Sequence, residues 1–172
     1  MKFSKKNYLL VFIFFVFVIS GCGGEPAFNG GGCNDADTPT NISSFSITGS
    51  TTAGSTEVIN DTADFTVSWD LTSSCTYTYQ VYLAVADVQN PAFDVVVASG
   101  TCGLGFSCSE SVDFDCSFDA TAKTMACNGG SSVDVSALLA DPSPKNRYFI
   151  LTASNEMLDS DFMASNQVRI DF

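Results

Sequence analysis

From residue 42 onward the apolar residues recur at every second position, and that period leaves little but β-structure open to the chain. Phe65, Val67, Trp69 and Leu71 alternate with Thr66, Ser68 and Asp70. Tyr77, Tyr79, Val81, Leu83 and Val85 alternate with Thr78, Gln80, Tyr82 and Ala84, and Val112, Phe114, Cys116 and Phe118 with Asp113, Asp115 and Ser117. Val168, Ile170 and Phe172 close the series. Such strands bury one face and wet the other. Residues 42–48, 93–99, 123–127, 133–135 and 147–154 are further strand candidates, and only Ser136–Ala140 reads as briefly helical. Many short strands separated by Thr/Ser/Gly/Asn turns predict an all-β sandwich.

Ahead of this body the chain reads as an address. Lys2, Lys5 and Lys6 precede an unbroken apolar run, Leu9–Ile19, and small residues follow it. A basic start, a short apolar stretch and small residues make a secretory signal. The run is much shorter than the roughly 20 residues a membrane-spanning helix needs. The stretch Ile19-Ser20-Gly21-Cys22 resembles the lipobox of bacterial lipoproteins. That resemblance implies diacylglyceryl transfer to the Cys22 thiol, cleavage before Cys22, and a lipid anchor made stable by several acyl chains. Gly23, where a retention signal for the inner membrane would carry Asp, points to the outer membrane. The expected organisation is a signal over 1–21, a Gly/Asn/Asp/Thr/Pro-rich tether over 22–41, and a β domain over 42–172.

Export changes how the cysteines read. Seven are present, and lipid on Cys22 leaves Cys33, Cys75, Cys102, Cys108, Cys116 and Cys127, an even set in an oxidising compartment. Two local pairs fit the spacing: Cys102 with Cys108 around a glycine-rich loop, and Cys116 with Cys127 across the turn at 119–124. Cys33 with Cys75 would remain. Thiolate metal binding is disfavoured by the spacing and by the absence of histidine.

A second resemblance lies in the body. Val67-Ser68-Trp69-Asp70 is similar to the B strand of fibronectin type III and related immunoglobulin-like domains, with a tryptophan in the core. Residues 133–155 resemble the same family's E strand, Leu-Pro turn and F strand, with Leu139, Pro142 and Tyr148 in those roles; 165–172 would be strand G. On this alignment the cysteine-rich stretch over 100–128 reads as an insertion. The implied fold is an immunoglobulin-like sandwich with a disulfide-containing insertion, a fold that carries many functions.

Composition excludes several function classes. The signal takes three of the seven basic residues and leaves four Lys/Arg against nineteen Asp/Glu. Phosphate backbones are bound by Lys and Arg, so no nucleic-acid partner is expected. An anionic lipid surface would repel the domain, so membrane association falls to the anchor. With no histidine there is no Ser-His-Asp or Cys-His machinery.

Several residues are candidates for a site. Leu104 and Phe106 would sit at the tip of the Cys102–Cys108 loop as a recognition point. Acidic clusters at Asp35/Asp37, Asp113/Asp115 and Glu156/Asp159/Asp161 offer oxygens to calcium, with Asp35, Asp37, Asp159 and Asp161 as the ligands to test, although no EF-hand spacing is present. Paired carboxylates are the raw material of a glycosidase, and a Ser–Lys dyad would need Lys123 or Lys145. Tyr82 points to the polar face of its strand, where it packs on the 93–99 strand or joins a binding face. No cofactor is expected. The reading is a non-enzymatic, lipid-anchored envelope module for a protein or glycan partner; the alternatives are an accessory subunit recognised through an exposed strand edge, and a carboxylate-dependent hydrolase.

Overall fold

The computed structural model describes residues 40–73, 76–102, 111–155 and 160–172. The strands are β1 (Asn41–Thr48), β2 (Thr51–Ala53), β3 (Thr56–Ile59), β4 (Asp64–Thr72), β5 (Tyr77–Ala84), β6 (Val95–Cys102), β7 (Ser111–Asp119), β8 (Thr124–Cys127), β9 (Val133–Asp134), β10 (Lys145–Asn155), β11 (Ser160–Ala164) and β12 (Val168–Ile170). They form two sheets in a sandwich-like arrangement. The first has the order β1-β4-β7-β8-β9; the second has β2-β3-β12-β10-β5-β6, with β11 also paired to β10. Among the described residues there is no helix, and the stretch over Ser136–Ala140 is two successive turns, Leu138 N bonding Val135 O and Leu139 N bonding Ser136 O.

The period-two pattern explains which faces meet. Phe65, Val67, Trp69 and Leu71 on β4, with Phe114, Cys116 and Phe118 on β7, face Tyr77, Tyr79, Val81 and Leu83 on β5 and Phe149 and Leu151 on β10. Aromatic rings join the sheets: Trp69 lies 4.8 Å from Tyr79 and Phe65 lies 5.7 Å from Phe149, while Phe114, in the same sheet as Trp69, stands edge-on to it at 5.5 Å. Each such side chain contributes about 1.5–3 kcal/mol by leaving water. The Trp69 Nε1–H points at the Tyr77 hydroxyl, 3.5 Å away.

The chain changes sheets early. β1 pairs antiparallel with β4 in the first sheet, and ten residues later β3 pairs parallel with β12 in the second, with Glu57, Val58 and Ile59 opposite Val168, Arg169 and Ile170. The crossing passes Gly49, where a Cβ would stand 2.4 Å from the Val58 carbonyl oxygen, so only glycine lets the two backbones approach this closely.

Within the cysteine-rich stretch the described residues 111–119 and 124–127 are strands of the first sheet. β7 is the inner neighbour of β4 in the first sheet, from Asp64 opposite Ser117 to Asp70 opposite Ser111. Its hairpin partner β8 places Cys116 opposite Cys127, and the two are disulfide-bonded across the pair. Cys102 at the end of β6 is also disulfide-bonded and fully buried. Cys22, Cys33, Cys75 and Cys108 lie outside the described residues. The expected strand at 133–135, matched to an E strand, yields only β9, two residues at the sheet margin beside β8. Tertiary pairing overrode it because β7 offers a longer apolar face to the same core.

Two further expectations change. Residues 160–164, not among the strand candidates, form β11 against β10 and carry Asp161 of the acidic cluster. Val85, read as the last inward residue of its strand, lies past the end of β5 and is exposed.

Candidate functional site

β5 and β6 are joined by residues 85–94, and this loop carries the apolar side chains that the core did not take. Phe93 is 72% exposed, Val88 65% and Val85 58%. They line a cleft of about 320 Å³ whose opposite wall is Ala137 and Leu138. Large apolar side chains scattered singly over a surface are unremarkable, but three on one loop around one cleft form a patch of the kind that marks a contact site.

Local chemistry sets the loop's shape. In Asn90-Pro91-Ala92-Phe93 asparagine opens the turn and proline takes the second position, where its fixed φ is already correct. The Phe93 and Asp94 amides both donate to the Asn90 carbonyl at 2.9 Å, and the Asp94 carboxylate accepts the Asn90 amide at 2.5 Å. These bonds hold the turn that carries Phe93.

The facing wall is held from β10. Arg147 donates from Nε to the Leu138 carbonyl at 2.9 Å and also from Nη2, and its Nη1 donates to the Asn146 carbonyl at 2.7 Å. Its head satisfies backbone oxygens, and burial pushes the guanidinium pKa down from its ordinary value. Lys123, at φ 52° in the β7–β8 turn, donates to the Leu139 carbonyl at 3.1 Å, lies 3.5 Å from Asp141, and sits 4.7 Å over the Phe172 ring. Two of the domain's four cations thus secure the turn that forms one side of the cleft.

The cleft and the start of the domain lie at opposite ends of the sandwich. Thr40 contacts Ser73, beyond the end of β4, and Trp69 near that end stacks on Tyr79 near the start of β5. The loop follows the other end of β5, where Leu83 pairs with Phe149 and Phe149 packs on Phe65. The length of β5 between them is about 25 Å.

The acidic residues of the sequence take structural positions. Asp70, Asp113 and Asp115 share the outward face of the first sheet. Asp70 accepts from the Ser111 and Ser44 hydroxyls at 2.7 and 3.0 Å, Asp113 from Ser68 at 3.0 Å, and Asp115 from Thr66 at 3.2 Å. The Ser111 and Ser44 bonds hold the Asp70 carboxyl below the usual aspartate value; Ser136 does the same for Asp134 through side-chain and backbone bonds. Asp161 is the described member of the calcium set, and both its oxygens are occupied: Oδ2 accepts the Ile42 amide and Oδ1 the Phe162 amide, each at 2.8 Å. It ties β11 to β1. Asp35, Asp37, Glu156 and Asp159 lie outside the described residues, as do Leu104 and Phe106. Among the described residues no group of three or more acidic or cysteine side chains is placed to hold a metal.

Tyr82 lies on β5 between Val96 of β6 and Ile150 of β10, its hydroxyl donating to Gln80 at 2.6 Å. Tyr148 is half-buried, and its hydroxyl accepts from the Gln167 amide at 3.2 Å. Sequence reasoning placed Phe93 inside a strand and so missed it. The signal that locates it is Asn90-Pro91, a turn opener that ends the strand pattern two residues earlier. No protein-family model matches the chain, and no curated protein matches it.

Proposed function

We propose that this protein is a lipid-anchored lipoprotein of the bacterial cell envelope, carried on the outer membrane through Cys22, that binds a protein or glycan partner and is not an enzyme. The observation that carries the binding role is the turn-locked apolar patch of Val85, Val88 and Phe93 at the end of the sandwich far from Thr40. The patch lies at the end of the sandwich opposite Thr40, where the tether enters the domain. A preformed loop loses little freedom on binding, which favours a contact role.

We also assign the sandwich to the immunoglobulin-like type. The neighbour order β1-β4-β7 corresponds to strands A, B and E, and β12-β10-β5-β6 to G, F, C and C′. On this assignment strand E is β7 rather than the stretch that starts at Val133, and the β8–β9 pair is an addition to the A-B-E sheet.

Photo-crosslinking in native envelopes tests the binding role. A crosslinker at residue 93 is expected to form one dominant adduct, which Val88→Ser weakens. Absence of any adduct from positions 85, 88 and 93 would refute it. Mass spectrometry tests the anchor separately: an acylated Cys22 terminus is expected, and an intact Met1 terminus would overturn it.

A further inference from the structure

The four margins of the two sheets are not alike. β2 is three residues long and β9 two, too short to template another strand. β1 is long, but its outer side is taken. Asp161 accepts the Ile42 amide, and Asn166 both accepts from the Ile47 amide at 3.0 Å and donates to the Ile47 carbonyl at 3.2 Å, imitating the bonds of a neighbouring strand. β6 differs on every count. It runs for eight residues, Val-Val-Val-Ala-Ser-Gly-Thr-Cys, without a charge or a proline, and among the described residues its strand partner is β5. Charged side chains, proline and short length are among the usual guards on an edge, and β6 has none of these three; its one irregularity is the bulge at Val97, between the Val81–Ala98 and Tyr82–Val96 pairs.

Beside this edge the sandwich is open. A groove of about 250 Å³ runs between β6 and the β8–β9 turn, lined by Tyr79, Val97, Ser99, Cys127, Asn128 and Val133. Gly100 belongs to the same feature. It pairs with Tyr79, and a Cβ there would meet the Tyr79 ring at 2.8 Å, so the tyrosine lies across the glycine and closes the core behind the edge. The groove lining is uncharged. Asp94 stands just before β6 and Asp134 just after Val133. The heads of Lys123, Arg147 and Arg169 are bound to their own chain, at Leu139 O, Leu138 O and Asp171. The edge is therefore uncharged along its length, with Asp94 next to its start and Asp134 next to the groove residue Val133.

We propose that the edge of β6 over Val96–Gly100 takes up an extended segment of a partner protein, apolar and small along its length with lysine or arginine at its ends. Main-chain hydrogen bonds would supply affinity, the groove would seat alternate side chains, and Asp94 and Asp134 would select the basic ends. A second copy of this chain is the less suited occupant, because it brings the same excess of acidic over basic residues. The proposal deepens the binding role above at a different surface, and needs neither the Phe93 patch nor the anchor.

The test uses the peptide Lys-Thr-Val-Thr-Val-Thr-Val-Lys and its twin with glutamate at both ends, added to the chain isolated from its envelope. Amide hydrogen exchange is followed across β6, and affinity by fluorescence anisotropy. The lysine peptide is expected to slow exchange at Val96–Gly100 and to bind at least about tenfold more tightly than the glutamate peptide at low salt. Ser99→Lys, at an exposed position, is expected to weaken the lysine peptide about fivefold with no change in melting temperature. Phe93→Ser is expected to leave peptide binding unchanged, which separates this edge from the loop patch. Equal binding of both peptides, no protection at Val96–Gly100, or self-association of the chain through β6 in ultracentrifugation would each overturn the proposal.

Discussion

Trp69 and Phe93 are both large aromatic side chains, one from each sheet's sequence, and they end in opposite environments. Trp69 sits mid-strand on β4, 1% exposed, between Tyr79 and Phe114. Phe93 sits past a proline turn, 72% exposed, with Leu138 across an open cleft. The first is buried because alternation points it at another sheet. The second stays out because Asn90-Pro91 ends the strand pattern and turns the chain away before β6 begins. The contrast separates residues that hold the fold from residues left free for a partner, although composition alone treats them alike.

Substitutions that disturb one side of this contrast and spare the other will test it. Trp69→Ala should have the largest effect, a loss of about 3–5 kcal/mol of stability in urea denaturation, because it empties the contact between the sheets. A loss under 1 kcal/mol would mean that the core is centred elsewhere. Replacing Cys116 and Cys127 together by alanine should cost about 2–4 kcal/mol by freeing the β7–β8 hairpin in the unfolded chain, read as a lower melting temperature. Asp161→Ala should cost about 1–2 kcal/mol, since it leaves the Ile42 and Phe162 amides unpaired, and hydrogen exchange at Ile42 should accelerate.

Acid should act next, through Asp70. Its folded-state pKa is depressed, so its contribution is complete above the ordinary aspartate value and is lost as pH falls below about 4. Melting temperatures of the native chain and of Asp70→Asn should therefore converge on acidification. A gap that widened instead would reverse the sign. Phe93→Ser should have the smallest effect on folding, within about 0.5 kcal/mol, while weakening the adduct formed by a crosslinker placed at residue 88. A marked fall in melting temperature would place Phe93 with Trp69 in the fold rather than apart from it.

Much of this architecture was legible before any coordinates. The inward residues of β4, β5 and β7 follow directly from a period of two, since neighbouring side chains on a strand must point to opposite sides. The bridge across β7 and β8 was legible for a related reason: two cysteines flanking a short turn come face to face once the hairpin forms. The rest was hidden by distance in sequence. Val133–Val135 and Val112–Phe118 both read as strands, and nothing local says which lies beside β4. The cleft has the same difficulty. Val85 and Phe93 are eight positions apart and Leu138 much further along, and only the return of the chain at Arg147 brings the turn at Leu138 against the loop. Asp161 reads as a member of an acidic cluster offered to calcium until β1 and β11 are adjacent.

Sequence alone determined the all-β character and the inward faces of the main strands, and it supplied the expectation of export with a lipid on Cys22. These rest on local regularities: the pleat, the apolar run, and a motif of adjacent residues. Tertiary structure decided which strand neighbours which, which carboxylates are spent on backbone amides, and which apolar side chains remain uncovered. The physical reason is that burial belongs to what lies opposite a side chain, and what lies opposite is chosen by pairings between segments far apart along the chain.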